Sequence, residues 1–298
     1  MNRDYPCIMA AMNDICSWHG LAVFGLELEF KTTGRGNSFS GSAWRGLLGH
    51  ALAQRVCVRE APRCAGCPQV GQCAYPRLFK PLDAATLAPF WLHGWRRSGK
   101  GWRVGVRWIG PTELVHVTEW LEGLAAPDAG RSFGGEPVTL LAAFDTVSGK
   151  EAWSPSRGMT APTQSITLGG GDPPPAACRV RTLAPLVSKH RGDPLFGALA
   201  TRVQRLVSGS GSGGTLPRPA IPWQAQVVEQ RPRAIPLDRR LLSGEELVLE
   251  LTSIDPFAWE LLQAGRELHA GGQAGLGCGH YTIEPVTAAG ASRNSHAD

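Results

Sequence analysis

The sequence has no long hydrophobic run. Of its 298 residues 43% are hydrophobic and 18% are charged, yet no apolar stretch reaches the roughly 18 to 20 residues that crossing a bilayer requires. The N-terminal stretch MNRDYPCIMAAMNDICSWHG also lacks the uninterrupted apolar segment of a secretory signal. These absences predict a globular cytoplasmic protein, in which the eight cysteines are expected to be thiols or metal ligands rather than disulfides.

Lysine is scarce, and arginine supplies most of the positive charge. Lysine occurs only at positions 31, 80, 100, 150 and 189, whereas lysine and arginine together number 30 and exceed the 25 acidic residues. Because guanidinium groups bind phosphate through two hydrogen bonds and stack on bases, an arginine-rich chain with 10 tryptophans favours a nucleic-acid ligand. A GC-rich genome produces the same bias on any protein surface, so composition leaves both explanations open.

The hydrophobic pattern repeats one order of elements twice. In the first half we predict strands at 21–30, 90–95, 102–110 and 138–147, and helices at 41–56 and 113–124. In the second half we predict strands at 179–188, 223–230, 246–255 and 278–286, and helices at 194–209 and 256–268. Each half then has the order β-α-β-β-α-β. The predicted fold class is α+β, with two tandem ferredoxin-like (RRM-like) domains.

The predicted domain boundaries follow the glycine and proline content. The N-terminal domain covers 18–150 and carries a cysteine-rich insertion at 57–81; a Gly/Pro-rich linker follows at 151–177. The C-terminal domain covers 178–288 and includes a glycine-rich loop, and 289–298 form a tail. The stretch SGSGSGG at 208–214 has the composition of a flexible linker, either native or engineered.

Half of the cysteines lie in one segment, RVCVREAPRCAGCPQVGQCAY. Cys57, Cys64, Cys67 and Cys73 have the spacing C-x6-C-x2-C-x5-C, whose central pair lets two sulfurs bind one tetrahedral Zn²⁺. We predict a structural zinc that would hold three arginines of the segment, Arg55, Arg59 and Arg63, near a ligand. An iron–sulfur cluster and free thiols are the alternatives. Catalysis at this zinc is not expected, since four thiolates leave no open position.

A second unusual segment is rich in glycine. Residues 267–285, ELHAGGQAGLGCGHYTIEP, contain glycines at 271, 272, 275, 277 and 279. Glycine permits positive φ and close backbone approach, so successive amides of this loop are candidates for binding phosphate, with Arg266, Gln273 and His280 as added contacts. The RNA-contact prediction here comprises Gly272, Gln273, Gly275, Gly277 and His280. A glycine turn without a ligand is the alternative.

Three passages together resemble the repeat-associated (RAMP) endoribonucleases that process precursor CRISPR RNA. They are GSAWRGLLGHAL running into CVREAPRCAGCPQVGQCAYPRLFKP, then TLAPLVSKHRGDPLFGALATRVQRL, and finally ELHAGGQAGLGCGHYTIEP. The cysteine segment is similar to the cysteine-containing branch of that family, and together with the arginine content it suggests the type IV variant. The resemblance implies tandem ferredoxin-like domains. It also implies RNA cleavage within the repeat by 2′-hydroxyl attack, with no cofactor for catalysis and a 2′,3′-cyclic phosphate as product.

The resemblance also suggests which residues act. The family often places a histidine on the first helix, where this chain has His50. We therefore expect His50 to be the general base or acid, with Arg35 and Arg45 stabilising the phosphorane. A site centred on arginine is the alternative, and His280 and Tyr281 are further candidates. The predicted contacts to the repeat hairpin also include Arg202, Arg205, Arg239 and Arg240, whereas the remaining histidines, at 19, 93, 116, 190, 269 and 296, are expected to be structural.

The expected partners are the CRISPR repeat RNA hairpin, or the crRNA, and other subunits of a CRISPR effector complex; no membrane is expected. A noncatalytic RNA-binding scaffold subunit is the second hypothesis, because a fold alone carries no catalytic requirement. A zinc- or cluster-containing regulatory protein unrelated to RNA is the third. His50 together with Arg35 and Arg45 favours the enzyme over the scaffold, and the tandem element order disfavours the regulatory protein.

Overall fold

The computed structural model describes residues 17–31, 41–58, 64–80, 87–99, 101–110, 114–126, 132–133, 136–160, 163–169, 171–190, 193–209, 216, 219, 221–237 and 240–286. The protein is a mixed α+β protein with antiparallel sheets. Among the described helices, none has the length and apolar content that a membrane span requires.

The N-terminal half, residues 17–169, is built on a seven-stranded sheet. Its strands are β1 (Val23–Lys31), β2 (Phe90–Ser98), β3 (Gly101–Ile109), β6 (Thr139–Asp145), β7 (Glu151–Ser154), β8 (Gly158–Met159) and β9 (Ser165–Ile166), and a separate short pair consists of β4 (Ser132–Phe133) and β5 (Glu136–Pro137). Its helices are α1 (Gly41–Val56), α2 (Ala74–Phe79) and α3 (Leu114–Ala125). The strand order is β2-β3-β1-β6-β7-β8, with β9 paired to β1.

The central strand β1 shows why this half folds around α1. Strand alternation sends one set of β1 side chains, Phe24, Leu26, Leu28 and Phe30, into the core shared with α1 and α3. On α1, Trp44, Leu48 and Leu52 recur at helical spacing and are fully buried against that sheet. A hydrogen bond joins α3 to α1: the Trp120 indole Nε1 donates to the Leu48 carbonyl at 2.9 Å.

The C-terminal half, residues 171–286, contains a four-stranded antiparallel sheet. Its elements are β10 (Ala177–Thr182), α4 (Pro194–Gly209), β11 (Gln224–Leu237), β12 (Arg240–Thr252), α5 (Pro256–Leu268) and β13 (Tyr281–Pro285), with strand order β11-β12-β10-β13. Helix α5 begins with Asp255 as its cap, because the Asp255 carboxylate accepts hydrogen bonds from the amides of Phe257 and Ala258, and Pro256 occupies the first turn.

The predicted strands and helices occur in the predicted order in both halves, and three helices, at 41–56, 194–209 and 256–268, have the predicted bounds. The N-terminal half also contains α2 and the pair β4–β5, which were not predicted. The segment 151–177 differs from the predicted linker. It contains β7 and β8, which extend the first sheet beyond β6, and β9, which pairs with β1. The physical reason is apolar burial, since Ala152 and Trp153 of β7 enter the core of the N-terminal half. The domain boundaries themselves stay predictions.

The two halves meet along β2, β3 and the end of α5. The Trp91 indole Nε1 donates to the Glu267 carbonyl at 2.8 Å, and Nε of the buried Arg107 contacts the Glu267 carboxylate at 2.9 Å. Trp91 is fully buried and packs within the core of the C-terminal half. These contacts join β2 and β3 of the N-terminal half to the end of α5 in the C-terminal half.

Candidate functional site

A cleft of about 980 Å³ lies between the two halves. From the N-terminal half, α1 lines it with Ser42, Arg45, Gly46, Gly49, His50 and Ala53. From the C-terminal half, the lining residues are 187–190, Leu237, the loop 271–276 and, on α4, Ala198, Thr201, Arg202 and Arg205. The cleft therefore brings the predicted catalytic helix, the predicted basic helix and the glycine-rich loop together.

His50 lies on the exposed side of α1 and lines the cleft. The helical period places it on the opposite side from the buried Leu48 and Leu52, and one turn from Gly46. At Gly46 a side chain would point into open space, so the missing Cβ leaves room beside the imidazole. The structure thus presents an accessible imidazole in a concave site, which is what a general acid or base needs.

Arg45 connects α1, α2 and the glycine-rich loop. Its Nη2 donates to the Phe79 carbonyl at 2.6 Å, its Nη1 donates to the Gly275 carbonyl at 3.3 Å, and the guanidinium lies 5.6 Å from the centre of the Phe79 ring. Burial lowers the pKa of Arg45, and the neighbouring Tyr75 partly offsets this shift. Arg45, the predicted phosphorane contact, therefore also links the two halves through its hydrogen bonds to Phe79 and Gly275, and this link is called the Arg45 clamp below.

Several other predicted arginines lie outside the described residues or at the edge of the site. Arg35, Arg59, Arg63 and Arg239 fall in 32–40, 59–63 and 238–239, which are outside the described ranges. Arg55 is exposed in the last turn of α1, with its Nη2 4.0 Å from the Glu122 carboxylate. Arg240 is exposed at the start of β12, opposite Leu237 in the hairpin.

The glycine-rich loop is packed against the protein's own backbone. The amides of Gly271, Gly272 and Gly279 donate to the carbonyls of Ala198, Val187 and Pro185 at 3.3, 2.9 and 3.0 Å. At Gly279, where φ is +71°, a Cβ would lie 1.8 Å from the Ala270 carbonyl oxygen. The sequence analysis anticipated close backbone approach here, but the described contacts are to protein carbonyls.

Other members of the loop differ in exposure. Gly272 and Gln273 are exposed where the loop lines the cleft, and Gln273 adopts a φ of 59°. Gly277 is buried, with a positive φ of 82°, and a Cβ there would lie 2.9 Å from the Trp95 ring. A contact between this loop and a ligand would thus involve the surface around Gly272 and Gln273.

The two predicted contact arginines of α4 have different surroundings. Arg205 is exposed and lines the cleft. Arg202 is 5% exposed, donates from Nε to the Leu268 carbonyl, and has its guanidinium 5.3 Å from the centre of the Trp91 ring. Burial, with repulsion from Arg205, lowers the pKa of Arg202 to about 9, so that the group stays protonated at neutral pH.

Sequence analysis missed two basic residues of the cleft. Lys189 and His190 are exposed and line it, and the His190 Nε2 lies 3.1 Å from the Thr201 hydroxyl. His190 was expected to be structural. The signal that was available is the basic run SKHRGD, which lies inside one of the passages that carry the family resemblance.

Two further candidates, His280 and Tyr281, are turned into the protein. Tyr281 is 1% exposed, its hydroxyl donates to the Leu262 carbonyl at 2.6 Å, and burial raises its pKa well above the ordinary range. His280 stacks on His269 with the ring centres 4.8 Å apart, and it also contacts His93. The described contacts of both residues are with the protein interior.

None of the four cysteines of the insertion forms a disulfide. Burial raises the pKa of Cys64; Lys80 lowers it, and the nearby thiols of Cys73, Cys57 and Cys67 raise it further. The thiols are thus close enough to influence one another electrostatically. The amide of Cys67 donates to the Cys64 carbonyl at 3.1 Å, forming a tight turn between the two residues of the C-x2-C pair. Zinc binding by these cysteines stays a prediction.

The geometry describes an α+β protein of two antiparallel-sheet halves with a basic cleft between them. A family model described as an N-terminal domain, AF_1859_N, matches residues 20–93, which is less than half of the chain. A search of curated proteins gave no match.

Solved structures give matches over most of the chain. Thermus thermophilus Cas6 is 13% identical, with 88% of this chain and 98% of that chain covered and a TM-score of 0.52. A Cas6 product complex is 18% identical, with coverages of 89% and 99% and a TM-score of 0.52. A partial Cas6-RT-Cas1–Cas2 complex is 12% identical, with coverages of 96% and 48% and a TM-score of 0.51. This chain therefore shares the overall fold of Cas6.

Proposed function

We propose that this protein is a metal-independent endoribonuclease that cleaves precursor CRISPR RNA within the repeat, by attack of a 2′-hydroxyl, to give mature crRNA. The proposal includes two ferredoxin-like domains, a cytoplasmic location and continued binding of the repeat hairpin within a CRISPR effector complex. The observation that carries it is the accessible imidazole of His50 in a cleft that Lys189, His190 and Arg205 also line. The fold shared with Cas6, including a Cas6 product complex, supports it.

The chemistry requires a base for the 2′-hydroxyl, positive charge near the phosphorane and an acid for the leaving 5′-oxygen. His50 takes the role of base or acid, since it is exposed within the cleft. Lys189 and Arg205 supply positive charge from the C-terminal half, and His190 is the candidate for the complementary proton transfer. Arg45 positions α1 against the loop through its two carbonyl contacts, and Arg35 remains a proposed contact to the phosphorane.

The test is cleavage of an end-labelled CRISPR repeat RNA from the same genome, in EDTA, by wild type, His50→Ala and Gln54→Ala. Gln54 is the matched control, because it is also exposed and lies one turn further along α1. A single cut with a 2′,3′-cyclic phosphate end is expected for wild type and Gln54→Ala. Loss of a general acid or base should slow His50→Ala by about 100-fold or more. Unchanged cleavage by His50→Ala would remove His50 from the chemistry.

A noncatalytic RNA-binding scaffold is the second candidate. Arg45, the most enclosed basic residue of α1, donates to two protein carbonyls, an arrangement that a purely architectural subunit would also need. The Cas6-RT-Cas1–Cas2 complex includes a Cas6 of this fold together with other proteins. Tight binding of the repeat RNA with no cut product, in EDTA and in Mg²⁺ alike, would favour the scaffold and contradict the nuclease.

A further inference from the structure

Three histidines that the sequence separates widely meet at the junction of the two halves. His93 lies on β2 of the N-terminal half, His269 follows the last residue of α5, and His280 directly precedes β13. One potential ligand atom from each lies within 4.8 Å of the other two. His269 and His280 lie at the two ends of residues 270–279, which contain the glycine-rich loop.

The spacing of the ring nitrogens fits a shared metal ion. His93 Nδ1 and His269 Nε2 are 3.1 Å apart, and the ring centres of His93 and His280 are 4.3 Å apart. Two imidazole nitrogens bound to a tetrahedral Zn²⁺ at about 2.0 to 2.1 Å stand roughly 3.3 Å from each other. The first pair is therefore close to ligand spacing. The His280 ring stacks on that of His269 at an interplanar angle of 3°, so it would have to rotate to direct a nitrogen at the same ion.

The outer nitrogens have the partners that metal-bound histidines usually have. His269 Nδ1 lies 3.1 Å from the Cys278 carbonyl, so this nitrogen carries the proton and donates, which leaves the Nε2 lone pair facing His93. His93 Nε2 lies 3.7 Å from the Glu267 carboxylate. A carbonyl or carboxylate behind each ligand fixes the ring and strengthens the inner nitrogen as a donor to a metal.

The electrostatic surroundings keep the imidazoles uncharged. Burial lowers the pKa of His93 and of His269 well below the ordinary range, and burial also lowers that of His280 to about 4. Neutral imidazole is the form that binds metals. Arg107 is one of the positive charges that act on all three histidines, and its guanidinium is paired with the Glu267 carboxylate at 2.9 Å.

His269 also occupies an unusual backbone conformation. Its φ of 66° and ψ of 167° belong to a region that glycine adopts readily and other residues rarely do. The buried His269 is 0% exposed, so its ring is held inside the protein at the cost of that conformation. Glycine would adopt the backbone conformation of residue 269 with less strain, so the presence of a histidine there suggests that its imidazole has a function.

We propose that His93, His269 and His280 bind one first-row transition metal ion, and that this ion is Zn²⁺, which imidazole ligands suit. Imidazole nitrogens suit Zn²⁺, Cu²⁺ and Ni²⁺, whereas Mg²⁺ and Ca²⁺ prefer oxygen ligands. Three protein ligands leave a fourth position for water. The ion would join β2 to both ends of the segment 270–279 and so stabilise the glycine-rich loop, part of which lines the cleft. This site is separate from the predicted cysteine site and independent of nuclease activity.

The experiment measures Zn²⁺ binding by competition with a chromogenic chelator, after metal removal, in a variant whose four insertion cysteines (57, 64, 67 and 73) are serine. One bound equivalent is expected. His93→Asn and His280→Asn should each weaken Zn²⁺ binding by about 100-fold or more. Removal of a hydrogen-bond partner of a ligand already reduces metal affinity by about 10- to 100-fold, and removal of the ligand itself should reduce it by more. His116→Asn, on α3, is the matched control and should bind as tightly as its parent.

A second readout covers the case in which the serine variant does not fold. Co²⁺ added to the metal-free full chain should give visible d–d absorption. Thiolate-bound Co²⁺ absorbs in the visible too, so the histidine site is identified as the part of this absorption that is lost in His93→Asn while the near-ultraviolet thiolate charge-transfer bands persist. The d–d signal from nitrogen ligation should vanish in His93→Asn and persist in His116→Asn. Absence of that signal in wild type, or equal Zn²⁺ affinity in the parent and His93→Asn, overturns the proposal in favour of a hydrogen-bonded histidine cluster.

Discussion

The Arg45 guanidinium lies directly against Gly275, with Nη1 donating to the Gly275 carbonyl at 3.3 Å, and a Cβ at position 275 would lie 2.4 Å from the same nitrogen. The two residues are 230 positions apart and belong to different halves of the protein. A charged side chain from α1 thus holds the glycine-rich loop in place, and the absence of a side chain at 275 makes room for it.

Arg45→Gln should destabilise the protein by about 1.5 to 3 kcal/mol, since the Phe79 and Gly275 carbonyls would lose hydrogen bonds from a charged donor. The measurement is the free energy of unfolding from urea denaturation. Arg55→Gln, in the same helix, is the control; its exposed pair with Glu122 at 4.0 Å should contribute less than about 1 kcal/mol. Equal effects of the two substitutions would contradict the Arg45 clamp.

Gly279→Ala should destabilise the protein by about 1 to 3 kcal/mol or prevent folding, because φ is +71° and the added Cβ would meet the Ala270 backbone carbonyl at 1.8 Å. Gly272→Ala is the matched control in the same loop. Its Cβ would meet nothing closer than Val187 at 3.7 Å, so a change within about 0.5 kcal/mol is expected. Thermal unfolding of the two variants side by side measures the difference.

Much of the fold was predictable from local pattern. Helix α1 could be placed because Trp44, Leu48 and Leu52 recur at helical spacing, and that spacing also put His50 on the opposite, exposed side. β7 was missed because it is only four residues long, EAWS, within a Gly/Pro-rich stretch, and Trp153 becomes buried only through pairing with β6. Such short strands depend on tertiary contacts that periodicity does not record.

Part of the candidate site could also be predicted from the local spacing of apolar residues along the helices. Arg202 was expected on the RNA surface, yet it lies between Leu199, Val203 and Leu206 on the apolar side of α4, and that spacing was visible in the sequence. The histidine cluster had no such signal. His93 meets His269 only because β2 packs against the end of α5, a pairing between distant elements that no local pattern contains.

Substitutions of the two arginines of α4 should have different effects: one should lower stability and the other should weaken RNA binding. Arg202→Gln removes the donor to the Leu268 carbonyl and is expected to lower the free energy of unfolding by about 1 to 3 kcal/mol. Arg205→Gln, at the exposed position, should leave stability within about 0.5 kcal/mol.

For Arg205→Gln the effect should instead be on affinity for the repeat RNA. Loss of one phosphate contact should reduce the slope of log affinity against log salt by about 1. Fluorescence anisotropy with labelled RNA over a salt series measures it. An unchanged slope would remove Arg205 from the RNA interface.

Asp145 should make stability depend on pH at the end of β6. Its side chain accepts from the Ser148 amide and hydroxyl at 2.7 and 2.8 Å, and from the Gln164 amide at 2.9 Å. Burial alone would raise the pKa of Asp145, but these hydrogen bonds outweigh it and hold the pKa below the ordinary 3.8. A lowered folded-state pKa contributes stability above the unfolded-state pKa and loses it as pH falls through the folded-state value.

Asp145→Asn should therefore cost about 1 to 3 kcal/mol at pH 7, because the amide cannot accept all of these hydrogen bonds. The gap between wild type and this variant should narrow as pH falls below about 4, because the carboxylate of the unfolded wild-type chain then takes up a proton before that of the folded protein does. Urea denaturation at pH 7, 5 and 3 measures the gap, with the exposed Asp172→Asn as the control for general charge effects. If the difference in the free energy of unfolding between wild type and Asp145→Asn stayed constant over this pH range, the charge of the Asp145 carboxylate would contribute nothing to stability, and the prediction would be wrong.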